Sequence, residues 1–422
     1  MLAESIRDGA AFHHAGLVYQ QRKLIEDNFK NGLIKVICST PTLAAGVNLP
    51  ARRVILRDYK RYEMGLGSVP IRVFEYKQCA GRAGRPKYDT FGEAVLMAKT
   101  NSELNHLLEH YVHAKPEPLT SKLGTEAALR THILSSIASG YVYDVKGVLD
   151  FLSGTFLSFQ KRTANLIELI AKIFDFLERE EMIIKQGFKF RPTPFGSCIS
   201  RLYIDPLSGV VLRDGLMYIK KHKHVTSPLS FIHLVSCCPD METARINQRD
   251  YEPLKVFLDS HEDEFIEPLM EDIEDYFYYL SIVKTVQMFS EWINEEKEEI
   301  ICDRFSVGPG DIRRCIETID WLIYSAVELA RLFEFREINL SLEELRIRMR
   351  YGVREELMEL VSLKGIGRVR GRSLYKKGFC KLKDLTKADL KELTKVPHIG
   401  EAIARAIKQQ LSNLKTEELS TV

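Results

Sequence analysis

The first hundred residues combine a helical pattern of apolar positions with short apolar runs. Residues 17–31 have helical spacing, whereas residues 33–38 and 54–56 are short apolar runs typical of buried parallel strands. Alternation of such strands with helices predicts an α/β domain with a parallel sheet, whose ligands bind at the carboxyl ends of the strands. Thr40 and Thr42 closely follow the first run, so their hydroxyl groups are candidates for holding phosphate oxygens.

A β-hairpin is predicted over residues 57–73, where bulky side chains flank a glycine-containing turn. Tyr62, Met64 and Leu66 would form an apolar tip. Such a tip can replace the stacking that is lost when a base pair opens, although an ordinary surface hairpin explains the same pattern.

Residues 100–205 predict a helical linker followed by a winged helix. Residues 127–139 and 165–180 have the apolar spacing of amphipathic helices, and residues 182–191 alternate around Gly187 as the two strands of a wing would. The helix over residues 165–180 is not basic, so we favour a structural hinge over a module that binds DNA.

The pattern from residue 206 to residue 352 is entirely helical, and the helix predicted over residues 311–335 is the most informative. Its apolar stripe consists of Ile312, Ile316, Ile319, Ile323 and Val327. Arg314 and Trp321 lie almost opposite that stripe and two turns apart. Trp321 would either stack on a base of a single strand, with Arg314 at a phosphate, or pack against another domain.

Residues 353–422 contain an internal repeat at an offset of 33 residues, since residues 363–367 align with residues 396–400. Each copy predicts a helix-hairpin-helix, in which a glycine turn opens a helix and presents backbone N–H groups to a phosphate. The candidate phosphate contacts are the turn glycines and nearby arginines: Gly365, Gly367, Arg368, Arg370, Arg372, Gly400 and Arg405.

Charge is distributed unevenly along this 422-residue chain, although its net charge is only +2. Residues 361–411 carry 13 Lys and Arg against 4 Asp and Glu, a net charge of +9 that is typical of a nucleic-acid-binding surface. Residues 259–300 carry 2 against 14, a net charge of −12, which we expect to form a solvated helix face or a surface that repels DNA. The eight cysteines include no Cys-x-x-Cys pair, so neither a disulfide framework nor a zinc site is predicted.

The densest cluster of candidate chemistry is the sequence Gln-Cys-Ala-Gly-Arg-Ala-Gly-Arg-Pro at residues 78–86. As a continuous helix, it would place Gln78, Arg82 and Arg85 on one face, beside glycines that let a ligand approach closely. Two guanidinium groups on such a face suit the oxygens of a transferring phosphoryl group.

This sequence resembles the last conserved motif of superfamily-two helicases, whose pattern is Gln-x-x-Gly-Arg-x-Gly-Arg. Residues 39–50 resemble the fifth motif of that superfamily, and the surrounding sequence is similar to archaeal repair helicases related to the helicase part of DNA polymerase theta. The resemblance implies an arginine finger at Arg85 with Arg82 beside it.

Further contacts are implied by the same resemblance. Nucleotide contacts would come from Gln78, Gly46 and Asn48, and a contact with the DNA backbone from Thr40. The hairpin over residues 57–73 would split the duplex, and the helix that carries Arg314 and Trp321 would grip DNA as the motor steps.

The implied fold is multidomain. It comprises a second RecA-like α/β domain (1–99), a linker and winged helix (100–205), a helical ratchet bundle (206–352) and a tandem helix-hairpin-helix domain (353–422). The P-loop and acidic Mg²⁺ box of a complete motor do not occur in the sequence. We therefore expect the C-terminal part of a longer enzyme, which lacks the first RecA-like domain and cannot hydrolyse ATP unaided.

The implied activity is that of an ATP-dependent 3′-to-5′ DNA helicase that unwinds forked or lagging-strand DNA in replication-coupled repair. ATP and Mg²⁺ would be bound mainly by the missing domain. We expect a monomer that binds single-stranded and forked DNA, and possible partners include replication or repair proteins. With no targeting signal and no apolar run near the roughly 18 residues of a bilayer span, we expect a cytoplasmic, nucleoid-associated protein.

Two alternatives remain open. An RNA helicase of the exosome-assisting kind shares the motor motifs, but a tandem helix-hairpin-helix usually grips the DNA backbone. The other alternative is a DNA-binding fragment without ATPase activity of its own.

Overall fold

The computed structural model describes residues 2–14, 17–40, 49–63, 67–85, 89–160, 164–222, 227–266 and 275–420. Within these ranges, only the backbone is described for residues 62–63, 164–165 and 414–420. The chain divides into two compact units, Met1–Leu119 and Thr120–Val422. Within the described part of the chain, no helix is both long and apolar enough to cross a bilayer.

The first unit mixes short strands with helices. Its strands are β1 (Ala10–His13), β2 (Val36–Ser39), β3 (Arg53–Leu56), β4 (Lys60–Glu63), β5 (Gly67–Pro70) and β6 (Glu93–Leu96). Its helices are α1 (Leu2–Arg7), α2 (Tyr19–Lys30), α3 (Val73–Ala80) and α4 (Asn101–Leu107), which continues into a π-helical turn at Leu108–Val112. Strands β1 and β2 are parallel, as are β3 and β6, whereas β4 and β5 form an antiparallel hairpin. The predicted first helix, the parallel pairing and the hairpin are therefore confirmed.

The apolar run over residues 33–38 is less buried than predicted. Strand β2 begins at Val36, and alternate side chains along a strand point to opposite faces. Ile37 packs against the cluster around Ile25 and Ile34, whereas Val36 is 57% exposed. The expectation of a fully buried strand is wrong for this run, because β2 turns only one of its faces toward that cluster.

The second unit is mainly helical. Its first helices are α5 (Glu126–Ala138), α6 (Val145–Ser153), α7 (Phe156–Gln160), α8 (Ala164–Arg179), α9 (Pro194–Leu202) and α10 (Pro206–His222). These are followed by α11 (Pro228–Ser236), α12 (Tyr251–Ser260), α13 (Tyr276–Ile293), α14 (Glu298–Phe305), α15 (Pro309–Leu332) and α16 (Arg336–Tyr351). The last helices are α17 (Met358–Val361), α18 (Arg368–Lys376), α19 (Leu382–Lys387), α20 (Leu390–Thr394) and α21 (Glu401–Ser420). Single 3-10 turns lie at Lys122–Gly124, Gln248–Asp250, Glu262–Glu264 and Glu355–Leu357.

One antiparallel hairpin interrupts these helices and corresponds to the predicted wing. Its strands β7 (Ile183–Gln186) and β8 (Lys189–Pro192) pair across a tight turn, and we call it the wing hairpin. The predicted helices over residues 165–180 and 311–335 are observed as α8 and α15. Every regular element in the described part of residues 206–352 is helical, as predicted.

Short polar side chains cap the N-terminal ends of several of these helices. Asp144, Thr193 and Ser227 each accept a hydrogen bond from the backbone N–H three residues later, at distances of 2.7, 3.0 and 3.2 Å. Such caps satisfy backbone donors that have no partner within the helix. Proline follows the cap directly in α9 and α11, where its fixed φ angle suits the first helical turn.

A buried ion pair joins α5 to the segment that begins α10. The guanidinium group of Arg130 donates two hydrogen bonds of 2.9 Å to the two carboxylate oxygens of Asp205. The two side chains are only 9% and 7% exposed. Asp205 Oδ1 also accepts a hydrogen bond from the backbone N–H of Leu207, so this pair fixes where α10 starts.

Candidate functional site

The arginine-rich sequence at residues 78–85 is not a continuous helix. Helix α3 ends at Ala80, and the chain then turns toward Ala51. Ala51 donates a hydrogen bond to the carbonyl of Arg82 (3.0 Å) and accepts one from Gly84 (2.7 Å). Gly84 has a φ angle of +95°, which is costly for residues with a Cβ. The predicted common helix face for Gln78, Arg82 and Arg85 is therefore wrong, because pairing with Ala51 draws the chain out of the helix.

We call residues 81–85 the arginine turn. Gln78 is exposed on the last turn of α3, Arg82 is partly buried, and Arg85 is exposed just beyond Gly84. The turn still places the two predicted arginines three residues apart in one short segment.

Gly92 holds the arginine turn in place, and sequence reasoning missed it. A Cβ at Gly92 would lie 2.4 Å from the backbone carbon of Ala83 and 2.4 Å from the nitrogen of Gly84. No side chain fits at that distance. The sequence shows only a glycine directly before the residues that form β6, which by itself does not reveal a close backbone contact.

Asp89 is the second residue that sequence reasoning missed. Its carboxylate accepts hydrogen bonds from Nε and Nη2 of Arg85, each 2.8 Å long, and from the backbone N–H of Arg85 (3.0 Å). These hydrogen bonds from Arg85 hold the pKa of Asp89 below its ordinary value. The carboxylate of Asp89 thus orients the guanidinium group of Arg85. A phosphate that binds Arg85 would have to displace this carboxylate or share the guanidinium group with it.

The fit of this unit to a nucleotide phosphate depends on these arginines. The turn supplies cations on an open, glycine-lined segment, which suits phosphate oxygens. Among the described residues, no group of His, Cys, Asp and Glu is placed to hold a metal ion. The predicted nucleotide contacts Gly46 and Asn48 lie outside the described residues.

The predicted contacts to the DNA backbone are described only in part. Thr40 is exposed directly after β2, and its backbone N–H donates to the carbonyl of His13 (3.3 Å). Thr42, Met64 and Leu66 lie outside the described residues.

The hairpin β4–β5 is attached to α3. Tyr62 belongs to β4, but its side chain lies outside the described part of the chain. Arg61 pairs with Glu75 of α3 at 2.7 Å. The hairpin and the helix that leads into the arginine turn are therefore directly connected.

Arg314 and Trp321 lie on α15, as predicted, and both have partners. Arg314 is 54% exposed and pairs with Glu242 at 3.1 Å. Trp321 is partly buried, and its indole N–H donates to the carbonyl of Leu202 (3.0 Å) at the C-terminal end of α9. One edge of the indole is thus used in packing, while the ring keeps some exposed surface. Both roles considered for Trp321, packing and base stacking, remain compatible with this geometry.

The repeat in the C-terminal region is visible in the backbone. Gly365 has a φ angle of +89°, and the aligned His398 has +67°. Paired positions of the two copies are buried in one shared core: Leu363 and Val396, Ile366 and Ile399, Leu374 and Ile407. A Cβ built at Gly365, Gly367 or Gly400 meets no atom within 4 Å, so each turn is open to an approaching backbone.

The arginines of the first copy differ in their surroundings. Arg370 donates to the carbonyls of Gly365 (2.7 Å) and His398 (3.2 Å), so it bridges the two turns. Arg405, in the second copy, is 69% exposed and pairs with Glu401 of its own helix. These two side chains lie beside the open glycine turns.

Arg368 and Arg372 instead face the helical part of the same unit. Arg372 donates to both carboxylate oxygens of Glu295, at 2.7 and 2.6 Å, and to Glu356 at 2.8 Å. The guanidinium group of Arg368 lies 5.0 Å from the ring centroid of Trp292 and donates to the carbonyl of Glu296. We call these contacts the C-terminal brace.

The brace corrects the interpretation of the acidic block over residues 259–300. We expected a solvated face or a surface that repels DNA, but the carboxylate of Glu295 and the backbone carbonyl of Glu296 bind Arg372 and Arg368 of the basic block. Burial opposes ionisation of Glu295, but hydrogen bonds from Arg372 and from the backbone of Arg354 outweigh it, so the pKa of Glu295 is lowered. The two oppositely charged blocks therefore meet at Glu295 and Arg372.

Comparisons with known proteins agree with the sequence and the fold. Residues 2–87 match the helicase conserved C-terminal domain, residues 229–352 match domain 4 of archaeal helicases, and residues 357–413 match a SAM-like helix-hairpin-helix tandem. Several curated archaeal proteins named ATP-dependent DNA helicase Hel308 match nearly the whole chain. The Methanocella arvoryzae protein is 42% identical over 97% of this chain, and the Pyrococcus horikoshii protein is 41% identical over 97%.

Over nearly its whole length the chain is similar to these archaeal helicases, and its central part matches their domain 4. The predicted resemblance is thereby confirmed. The chain spans about half the length of these relatives, with 55% of the Methanocella protein and 57% of the Pyrococcus protein covered. The matched helicase C-terminal domain and helix-hairpin-helix tandem both imply DNA binding.

Proposed function

We propose that this chain supplies the second RecA-like domain and the DNA-holding domains of an ATP-dependent 3′-to-5′ DNA helicase. The observation that carries the proposal is the match over 97% of the chain to ATP-dependent DNA helicases. The finer arrangement, with a winged helix before a helical ratchet bundle, belongs to the same proposal. Forked DNA in replication-coupled repair is the substrate that the family resemblance favours.

The arginine turn is the part of this chain that would act on the nucleotide. Arg85 and Arg82 would stabilise negative charge on the γ-phosphate, and Gln78 would lie near the nucleotide. Asp89 would hold the guanidinium group of Arg85 until the phosphate takes its place. ATP hydrolysis supplies the free energy for movement along DNA, and Mg²⁺ would be held mainly by residues outside this chain.

The second unit would hold the DNA. The open turns at Gly365, Gly367 and Gly400 suit the sugar-phosphate backbone, which such turns bind without reading the bases. Arg370 and Arg405 lie beside these turns and would add positive charge. Trp321 would stack on a base through the part of its ring that is not used in packing against Leu202.

The test is ATP turnover with forked DNA, measured on this chain alone and mixed with the part of the Methanocella helicase that lies outside the match. We expect DNA-stimulated turnover in the mixture but not with this chain alone. If the two separate parts do not associate, a fusion of them replaces the mixture. Arg85→Ala should lower that turnover by about 10³-fold or more, as expected for an arginine finger. Arg57→Ala is the matched control, because Arg57 is an exposed arginine of the same unit that pairs with its neighbour Asp58.

Three results would contradict the proposal. Turnover by this chain alone would show a complete nucleotide site within it. Preferential unwinding of RNA by the fusion would favour the exosome-type alternative, and tight DNA binding by a fusion without turnover would favour the binding-fragment alternative.

A further inference from the structure

The tip of the wing hairpin exposes an aromatic ring. Phe188 is 94% exposed, the highest fraction among the large apolar side chains in the described part of the chain. Gly187 beside it has a φ angle of +63°, and a Cβ there would meet nothing within 4 Å. The ring therefore projects from a tight turn with open space around it.

The wing hairpin carries only positive charge. Residues 182–193 contain Lys185, Lys189 and Arg191 and no Asp or Glu. In the observed register Gln186 lies opposite Lys189, and Ile184 lies opposite Arg191. Lys189 and Arg191 therefore share the outer face of the hairpin, about 7 Å apart along β8. The opposite face packs inward through Ile183 and Phe190, both of which are buried.

A second exposed aromatic side chain extends this surface. The backbone N–H of Phe190 donates to the carbonyl of Tyr143 (2.6 Å), which joins the loop before α6 to the hairpin. Tyr143 is 51% exposed, and Nζ of Lys189 lies 5.7 Å from its ring centroid. The neighbouring Asp144 uses its carboxylate to cap α6. We call Tyr143, Phe188, Lys189 and Arg191 the wing surface.

We propose that the wing surface binds a single strand of nucleic acid. Lys189 and Arg191 suit the phosphates, and exposed rings suit unpaired bases, which stack on aromatic side chains whatever the sequence. A base within an intact duplex offers no free face to Phe188, so the strand must be unpaired at that point. The proposal rests on the proposed DNA-binding function. It assigns a DNA contact to the wing hairpin, whereas the sequence favours a structural hinge for this region because helix α8 is not basic.

The experiment measures binding of the full chain to a fluorescent oligothymidine by anisotropy, over a range of salt concentrations. Phe188→Ser should weaken binding about tenfold, the effect expected of one lost base–aromatic stack. The double variant Lys189→Gln with Arg191→Gln should reduce the slope of log K against log salt by about 1.4, since each phosphate contact to a single strand contributes about 0.7. All three side chains are exposed, so thermal melting should match that of the parent chain.

Two control variants match these changes away from the hairpin. Phe159→Ser removes another exposed ring, which is 86% exposed on α7, and Lys172→Gln removes an exposed charge on α8. Both should bind like the parent. If the parent binds and the wing variants bind equally well, the wing surface is not a contact and the proposed function stands. If the parent chain binds no DNA, both proposals fail. If the parent chain prefers polyglutamate to the oligonucleotide, the partner of the wing surface is an acidic protein and the inference is overturned.

Discussion

The C-terminal brace can be tested by replacing Arg372, which sequence reasoning assigned to DNA. Its guanidinium group makes two hydrogen bonds to Glu295 and one to Glu356. The side chains of Arg372 and Glu295 are 23% and 13% exposed, so the pair is neither fully buried nor open to solvent. Breaking a buried pair costs about 3–5 kcal/mol, and exposed pairs contribute about 0–1 kcal/mol. We therefore expect Arg372→Gln to destabilise the attachment of α18 by about 2 kcal/mol.

Native-state hydrogen exchange of the full chain measures this attachment directly. A loss of about 2 kcal/mol should speed exchange of the α18 amides by roughly 30-fold when opening is local. Glu295→Gln should have a similar effect, and the double variant should lose less than the sum of the two, because both changes remove the same contact. Arg405→Gln is the matched control, since its 69% exposed ion pair should contribute little.

The same pair predicts how the brace responds to pH. Because the folded pKa of Glu295 is lowered, its contribution is complete above the ordinary pKa of a glutamate, near 4.3, and is lost as the pH falls through the folded pKa. The difference in exchange between the parent and Arg372→Gln should therefore be constant from pH 6 to 8 and shrink only in acid.

One result would refute this reasoning. If Arg372→Gln leaves the exchange of α18 unchanged but weakens DNA binding and lowers its salt dependence, Arg372 serves as a phosphate ligand and the brace contributes no stability. If exchange rises while the salt dependence of DNA binding stays the same, the assignment of Arg372 to DNA is wrong.

The other predictions concern packing and attachment. Gly92→Ala should displace the arginine turn and lower ATP turnover of the reconstituted enzyme at least tenfold, while circular dichroism shows a folded chain. Arg130→Ala should lower the free energy of unfolding in urea by about 3–5 kcal/mol, because it leaves a buried carboxylate unpaired, whereas the exposed Arg179→Ala should cost under about 0.5 kcal/mol. Gly352→Ala should lower the melting temperature, since its φ angle is +62° and its Cβ would lie 2.6 Å from the Trp292 ring. Normal melting of Gly352→Ala would contradict that contact.

Local patterns were sufficient to predict much of the fold. Helices α2, α8 and α15 follow from the spacing of apolar residues, which reflects the helix itself and needs no distant partner. The repeat at an offset of 33 residues predicts two similar turns because both copies require the same backbone. His398 in the second copy aligns with Gly365 in the first, and both have a positive φ angle. The turn is therefore determined by the whole motif and not by glycine alone.

The arginine turn shows where local patterns are insufficient. The motif at residues 78–85 identified the two arginines, but their helical placement was wrong because Ala51 pairs with this segment from a position far earlier in the chain. The need for Gly92 arises from the same distant packing. No periodicity within the motif contains that information, since each contact depends on how separate strands come together.

The sequence alone also overstates how much positive charge is available to bind DNA. The +9 block over residues 361–411 predicted a nucleic-acid-binding surface, with Arg368 and Arg372 among the candidate phosphate contacts. The structure directs both guanidinium groups to Glu295 and Glu296, more than 70 residues away in sequence. A phosphate at either arginine must therefore compete with a partner already in place, whereas the glycine turns beside Arg370 remain open to the DNA backbone. If DNA does reach Arg372, its binding must loosen the brace, so DNA contact and attachment of the C-terminal helices would be coupled through one side chain.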